Sequence, residues 1–323
     1  MANTFAPNGF QQYQGTGSSP TFEQTQLAIS SANTNPIFFG DPVVQAASAT
    51  GVGTGYITQG YGPVALTVGA TGVATNAAGA IVVTFSAAVP TSGGALPATP
   101  NAWAPPIGSV IVITGATTAS GQNLNGVYPV TSSTTGTVTS ASAAALTPSV
   151  TSTAVGSVYV YVPVAGVFVG CRYLSAANKY PIWRNYWPGS DANGDVQAYV
   201  ITDPNAQFSV ATGNSNTTAT PVGFNQIGQN IAYAYVQNGI ATTNGVTATG
   251  VSSFFADAYT LIANFPQGAI ANSLLPFRVI ALANYVPGAV SPLVSINGND
   301  QTTAYNRVIV AFNNSMPRQF AGV

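Results

Sequence analysis

The sequence predicts a mainly all-β protein, with a β-barrel or β-sandwich outer domain that contains one short helix, and a small inserted β domain. Valine, threonine and tyrosine are concentrated in short runs that Gly, Pro, Asn and Ser residues separate. Such runs are typical of strands joined by tight turns. Only one segment of the 323 residues carries apolar side chains at a clear helical spacing.

Several strands can be placed directly from these runs. Val158–Val162 and Val167–Tyr173 are dense in β-branched and aromatic residues. Ser109–Thr114 is apolar on both faces, which indicates a strand covered on both sides or a strand at an interface. Further strands are predicted at Ala80–Phe85, Gly126–Thr131, Gly136–Ser142, Gln197–Ile201, Ala206–Val210, Phe277–Ala283 and Arg307–Phe312.

The single predicted helix covers Ser252–Phe265. Ser252 or Ser253 can cap its first turn, and Pro266 and Gly268 follow its end. The residues at helical spacing are Phe255, Ala258, Leu261, Ile262 and Phe265.

Changes in composition divide the chain. Residues 1–40 are polar and predict an extended N-terminal arm that reaches a neighbouring molecule and contains one short strand, Phe22–Ile29. Residues 66–157 are almost purely Ala, Val, Thr, Ser, Gly and Pro, which predicts an inserted β-barrel or sandwich. Residues 41–65 and 158–323 then form the main β domain.

Charged residues make up only 4% of the chain, with six Lys or Arg and seven Asp or Glu. Nucleic-acid binding requires clustered basic residues, so we expect no nucleic-acid partner. The longest apolar stretch, Val158–Cys171, is too short to span a bilayer, and the N-terminus lacks the features of a secretion signal. A nearly uncharged surface favours association, so we expect a homo-oligomer, specifically a homotrimer.

The residues needed for catalysis are scarce. The chain has no histidine, which removes the commonest general base and every triad that depends on it. Asp191 and Asp195 are the only close acids, and their Gly- and Asn-rich sequence favours a turn over a weak cation site. The glycines of Gly51–Gly55 precede no predicted helix and favour a loop, and Cys171 is expected to be a buried structural residue. We therefore predict a protein that is not an enzyme, with no cofactor and no metal site.

Aromatic residues supply the candidate binding residues instead. Trp, Tyr and Arg dominate protein-interface hot spots, and the segment 180–187 is rich in them. An aromatic carbohydrate platform is the alternative for the same segment and implies weak glycan binding. The candidate interface residues are Phe5, Phe10, Tyr13, Tyr180, Trp183, Arg184, Tyr186 and Trp187.

Two parts of the chain carry a family resemblance. The opening Ala2–Phe10, Gly40–Val43, Pro163–Tyr173 and Asn185–Gly189 together resemble head structural proteins of tailed bacteriophages, of the decoration or cement type. The resemblance covers residues 1–65 and 157–323 and implies a β-tulip-like barrel or sandwich. It also implies a location on the outer surface of the virion capsid, often as a trimer, where the protein holds together neighbouring copies of the major capsid protein.

Other readings of the sequence stay open. A tail-tube or tail-fibre protein is the first alternative, although no long ring-stacking hairpin is evident. The major capsid protein would need a long spine helix, which this sequence lacks. A carbohydrate-binding adhesive module would rest on the aromatic segment 180–187.

Overall fold

The computed structural model describes residues 5–14, 24–90, 103–142, 146–215, 220–235, 245–261, 273–283 and 303–316. The predicted all-β class is confirmed, because nearly every regular element in these residues is a strand. In chain order the strands are β1 (Gln11–Gln14), β2 (Gln24–Ile29), β3 (Pro42–Ala47), β4 (Gly53–Gln59), β5 (Val64–Thr75), β6 (Ala80–Pro90), β7 (Val110–Thr114), β8 (Thr117–Thr118), β9 (Gly126–Ser133), β10 (Thr137–Ser142), β11 (Ser152–Ala154), β12 (Ser157–Tyr161), β13 (Val164–Leu174), β14 (Pro181–Arg184), β15 (Val196–Ile201), β16 (Gln207–Gly213), β17 (Asn230–Ala234), β18 (Gly245–Val246), β19 (Val251–Ser252), β20 (Phe255–Asp257), β21 (Phe277–Leu282) and β22 (Arg307–Phe312).

The middle of the chain forms a closed barrel with the strand order β10-β6-β5-β12-β7-β9. Its strands run from Val64 to Tyr161, close to the predicted insertion at 66–157. The first and last barrel strands pair with each other, with Val64 opposite Val160, so the chain enters and leaves the barrel at one place. Whether this segment is an independent unit stays a prediction.

Strand β7 is covered on both faces, as its sequence predicts. Ile111 and Ile113 point into the barrel core. Val112 points the other way and packs with Tyr161, Ala232 and Leu275. The barrel is therefore packed against the strands that follow it in the chain.

A second sheet has the order β14-β13-β15-β2-β4-β3 and includes the β13–β14 hairpin. Because β13 also pairs with β3, the sheet closes into a ring with β14 attached at its edge. Strand β2 lies between β15 and β4, with Gln197 opposite Ala28 and Ala28 opposite Tyr56. Trp187 and Phe168 lie fully buried in the core of this sheet.

A third sheet has the order β1-β16-β20-β17-β21-β22 and also closes, through β16 and β22. Its interior is a cluster of aromatic rings that includes Phe208, Phe277 and Phe312. Apolar contacts continue from this cluster into the barrel, so the two share one core.

The predicted helix at Ser252–Phe265 is wrong over residues 252–261, the part of that segment that the structure describes. Phe255–Asp257 is strand β20, which pairs with both β16 and β17, and Ala258–Thr260 is one 3-10 turn. All three β20 side chains are buried. Because β20 has a neighbouring strand on each edge, its backbone N–H and C=O groups form hydrogen bonds within the sheet. The helical spacing of its apolar residues therefore does not lead to a helix.

The described parts of the predicted N-terminal arm, residues 5–14 and 24–40, contain two strands, and β2 lies within the strand predicted at Phe22–Ile29. Strand β1 pairs with β16, and β2 is an interior strand of the second sheet. Phe10 is 1% exposed and stacks on Phe277. The described parts of this segment therefore pair and pack within the chain, and contact of residues 1–40 with a neighbouring molecule stays a prediction.

No helix in the described residues is long and apolar enough to cross a membrane.

Candidate docking surface

The β13–β14 hairpin presents an exposed, partly aromatic face. Arg172 lies opposite Trp183, and Leu174 lies opposite Pro181. Trp183 is 63% exposed and Tyr180 is 57% exposed, the two highest values among large apolar side chains that the structure describes. We call the side chains of Arg172, Leu174, Trp183 and Tyr199 the hairpin face.

Trp183 is held in place although it is exposed. Its ring stacks on that of Tyr199 in β15, with centroids 5.4 Å apart and planes 13° from parallel. The Arg172 guanidinium lies 5.2 Å from the centre of the Trp183 ring. Tyr199 in turn donates a hydrogen bond to Gln197, at 3.3 Å. Such contacts restrict the rotamers of Trp183 before any partner arrives, which lowers the entropy cost of docking.

A shallow cleft of about 400 Å³ lies beside the hairpin face. Its lining residues are Gln24, Val169, Gly170, Cys171, Trp183, Arg184, Asn185 and Tyr199. Gly170 has a φ of 152°, and a side chain there would meet the carbonyl oxygen of Arg184 at 3.0 Å. The glycine therefore permits the close approach of β14 that brings Trp183 over the sheet.

Basic residues are concentrated at this hairpin. Arg172, Lys179 and Arg184 are three of the six Lys and Arg residues in the whole chain. The Arg184 guanidinium lies 5.5 Å from the centre of the Tyr186 ring and donates to its hydroxyl, at 3.0 Å. Arg172 and Arg184 are thus held on aromatic rings, as in many interface hot spots.

The structure divides the predicted contact residues into three groups by exposure. Tyr13, Tyr180 and Trp183 are exposed, and Phe5, Arg184 and Tyr186 are half-buried. Phe10 and Trp187 are buried, which corrects their prediction as interface residues.

Trp187 has a structural role. Its indole N–H donates to the carbonyl of Asn33, at 3.1 Å, and its ring packs edge-on against Tyr173. Tyr186 stacks on Phe38, and Phe5 packs against Phe255 and Tyr305.

Sequence reasoning missed Arg172, Leu174 and Tyr199 as members of this face. The sequence could have predicted Arg172 and Leu174, because they alternate with the buried Cys171 and Tyr173 along one strand and so lie on its other face. Nothing local places Tyr199 beside Trp183, since the strands that carry them do not pair with each other.

Asp191 and Asp195 point to separate partners. Asp191 accepts hydrogen bonds from the Ala177 N–H and from the Ser175 hydroxyl, which lower the pKa of its carboxyl. Asp195 accepts from the Tyr56 hydroxyl and from the Ser31 N–H. Each carboxylate fixes a loop, and within the described ranges no three His, Cys, Asp or Glu side chains gather where a metal could bind.

Cys171 is buried within the second sheet. Burial raises the pKa of its thiol to about 12, so the reactive thiolate is scarce at neutral pH. Its Sγ donates to the carbonyl of Tyr186, at 3.4 Å.

No family model, no curated protein and no solved structure matches this chain. The likeness to phage decoration proteins therefore stays a prediction from the sequence.

Proposed function

We propose that this chain is a non-enzymatic structural protein of a virus particle, which decorates the outer surface of a tailed-bacteriophage head and cements adjacent copies of the major capsid protein. The hairpin face carries the proposal. An exposed tryptophan held by a stacked tyrosine and an arginine has the composition and rigidity of an interface anchor.

The anchor supplies part of the free energy that docking needs. Burying the exposed part of a tryptophan contributes about 3 kcal/mol at about 25 cal/mol per Å². An oligomer multiplies that contribution, because several hairpin faces would engage one shell at once. We propose a homotrimer for this reason and because the sparsely charged surface favours self-association.

Cementing follows from selective binding. A protein that binds the assembled shell but not its separated subunits stabilises the shell by mass action. With only thirteen charged residues, the contacts must be mostly apolar or hydrogen-bonded. Assembly of the homo-oligomer should therefore change little between low and moderate salt.

The test compares virus particles with and without this protein as they are heated. Full occupancy should raise the temperature of capsid rupture, and Trp183→Ala should abolish most of the binding. Phe224→Ala is the matched control, because Phe224 is another exposed aromatic residue but lies in the 3-10 turn Phe224–Gln226, outside the strands of the second sheet. Equal rupture temperatures at full occupancy would contradict the cement role.

The alternative structural role, in a tail tube or a tail fibre, makes a different prediction for location. Antibody labelling of intact particles should place the protein over the head surface if it is a decoration protein. Label on the tail would favour the alternative.

A further inference from the structure

We propose that a second cleft, between β4 and the loop that follows β2, binds a neutral saccharide unit. The cleft has a volume of about 350 Å³. Its ten lining residues are all uncharged, and the polar ones include Asn33, Thr34, Asn35, Thr54 and Tyr56. We call this site the Tyr56 cleft; it is distinct from the hairpin face, with which it shares no residue.

The Tyr56 cleft has hydrogen-bonding groups available for a ligand. The side-chain amide of Asn35 and the hydroxyl of Thr34 have no hydrogen-bond partner within the described part of the chain. An amide offers both a donor and an acceptor, and a hydroxyl offers the same pair on one atom. Sugar hydroxyl groups need this combination, because each both donates and accepts.

The loop that carries these groups is fixed in position. The Asn33 side chain accepts from the N–H of Asn35, at 3.0 Å, and the Asn33 carbonyl accepts from the Trp187 indole, at 3.1 Å. A Cβ on Gly189 would lie 2.3 Å from the carbonyl oxygen of Thr34, so the loop packs closely on the neighbouring chain. The polar groups are therefore arranged before a ligand binds, which reduces the entropy cost of binding.

Tyr56 supplies the aromatic surface of the site. Its hydroxyl donates to Asp195, at 2.8 Å, which holds the ring in place. The hydroxyl oxygen can still accept a hydrogen bond from a ligand. The Tyr56 ring and the methyl groups of Ala32 and Ala46 can pack against the C–H face of a sugar ring.

The lining selects among ligand classes. A phosphate or carboxylate ligand would lose its hydration without gaining a cation, because no Lys or Arg lines the cleft. A purely apolar ligand would leave the Asn35 amide and the Thr34 hydroxyl without water or a partner. The volume is near the lower end of small-molecule sites, about 300–1,000 Å³, which suits one or two sugar rings.

Saturation-transfer NMR on the full chain tests the proposal, with the methyl glycosides of galactose, glucose, mannose and N-acetylglucosamine and with sialic acid as the anionic comparison. At least one neutral glycoside should receive saturation, and sialic acid should receive less. Asn35→Ala and Thr34→Val should each raise the Kd at least fivefold. Thermal melts would check that both variants are folded.

Two control variants locate the binding. Asn225→Ala removes an exposed amide in another turn and should leave the Kd unchanged. Trp183→Ala should also leave it unchanged, whereas loss of binding in that variant would place the sugar on the hairpin face and overturn the proposal. The absence of saturation transfer from every glycoside, or equal binding by folded Asn35→Ala, would overturn it as well. None of these results depends on capsid binding.

Discussion

Phe10 stacks on Phe277 with ring centroids 4.4 Å apart and planes 20° from parallel. Phe10 also packs edge-on against Phe208 and Tyr233. A residue near the N-terminus therefore completes the aromatic core of the third sheet, whose strands other than β1 come from the last part of the chain.

Phe10→Ala is expected to be strongly destabilising. Truncating a buried phenylalanine removes its apolar burial and leaves a cavity, which together cost about 3–5 kcal/mol. Urea denaturation should show this loss of unfolding free energy. Tyr13→Ala is the control, because Tyr13 lies in the same segment but is 48% exposed, and we expect a change within about 0.5 kcal/mol. Similar stabilities for the two variants would show that the segment does not belong to the core.

Asp41 is expected to make the protein less stable at alkaline pH. Burial raises the pKa of Asp41 to about 7 from 3.8, despite hydrogen bonds from Phe38, Ser252 and Gln59 that lower it. Because the pKa is higher in the folded state, the stabilising contribution is fully present below 3.8 and is lost as the pH rises through about 7. The unfolding free energy should be about 2–3 kcal/mol greater at pH 5 than at pH 8.

Asp41→Asn provides the control for this pH dependence. The amide oxygen can still accept from the Phe38 N–H, but the side chain no longer titrates. The variant should show a smaller difference between pH 5 and pH 8, measured by urea denaturation. Some difference of the same sign should remain, because burial also raises the pKa of Asp257. An unchanged pH profile in the variant would mean that Asp41 is not the titrating group.

Gly60 is expected to tolerate no side chain. A Cβ at Gly60 would lie 2.4 Å from the hydroxyl oxygen of Tyr233 and 2.8 Å from the carbonyl oxygen of Pro42. Gly60→Ala should therefore cost about 1–3 kcal/mol through overpacking. Gly69→Ala is the matched control, since a Cβ there meets nothing within 4 Å. In thermal melts, Gly69→Ala should have a melting temperature near that of the wild type. Equal melting temperatures for Gly60→Ala and Gly69→Ala would contradict the predicted clash.

Removing residues 66–157 tests whether the barrel segment is an inserted unit. Val64 and Val160 are already paired, so a short Gly-Ser linker can join the cut ends. The strand pairings of the other two rings lie outside this segment, so we expect a far-ultraviolet spectrum of β type. We also expect reduced stability and binding of a hydrophobic dye, because Ala232 and Leu275 lose their contact with Val112. A disordered spectrum would show that the shared core makes the barrel essential.

The sequence by itself determined the features that depend on local pattern. Runs such as Val158–Val162 and Val167–Tyr173 predicted strands, and both are found. The apolar faces of Ser109–Thr114 predicted a strand covered on both sides. These properties follow from propensity and alternation, which neighbouring residues determine largely by themselves.

Only the tertiary structure decided which segments become neighbours. Phe255–Asp257 has apolar spacing typical of a helix, but pairing with β16 and β17 makes it a strand. The polar Gln24–Ile29 became an interior strand because β15 and β4 flank it. The Tyr56 cleft and the Trp183–Tyr199 stack also join distant parts of the chain. Local sequence cannot specify them, because ring closure depends on the long-range packing of every strand in the sheet.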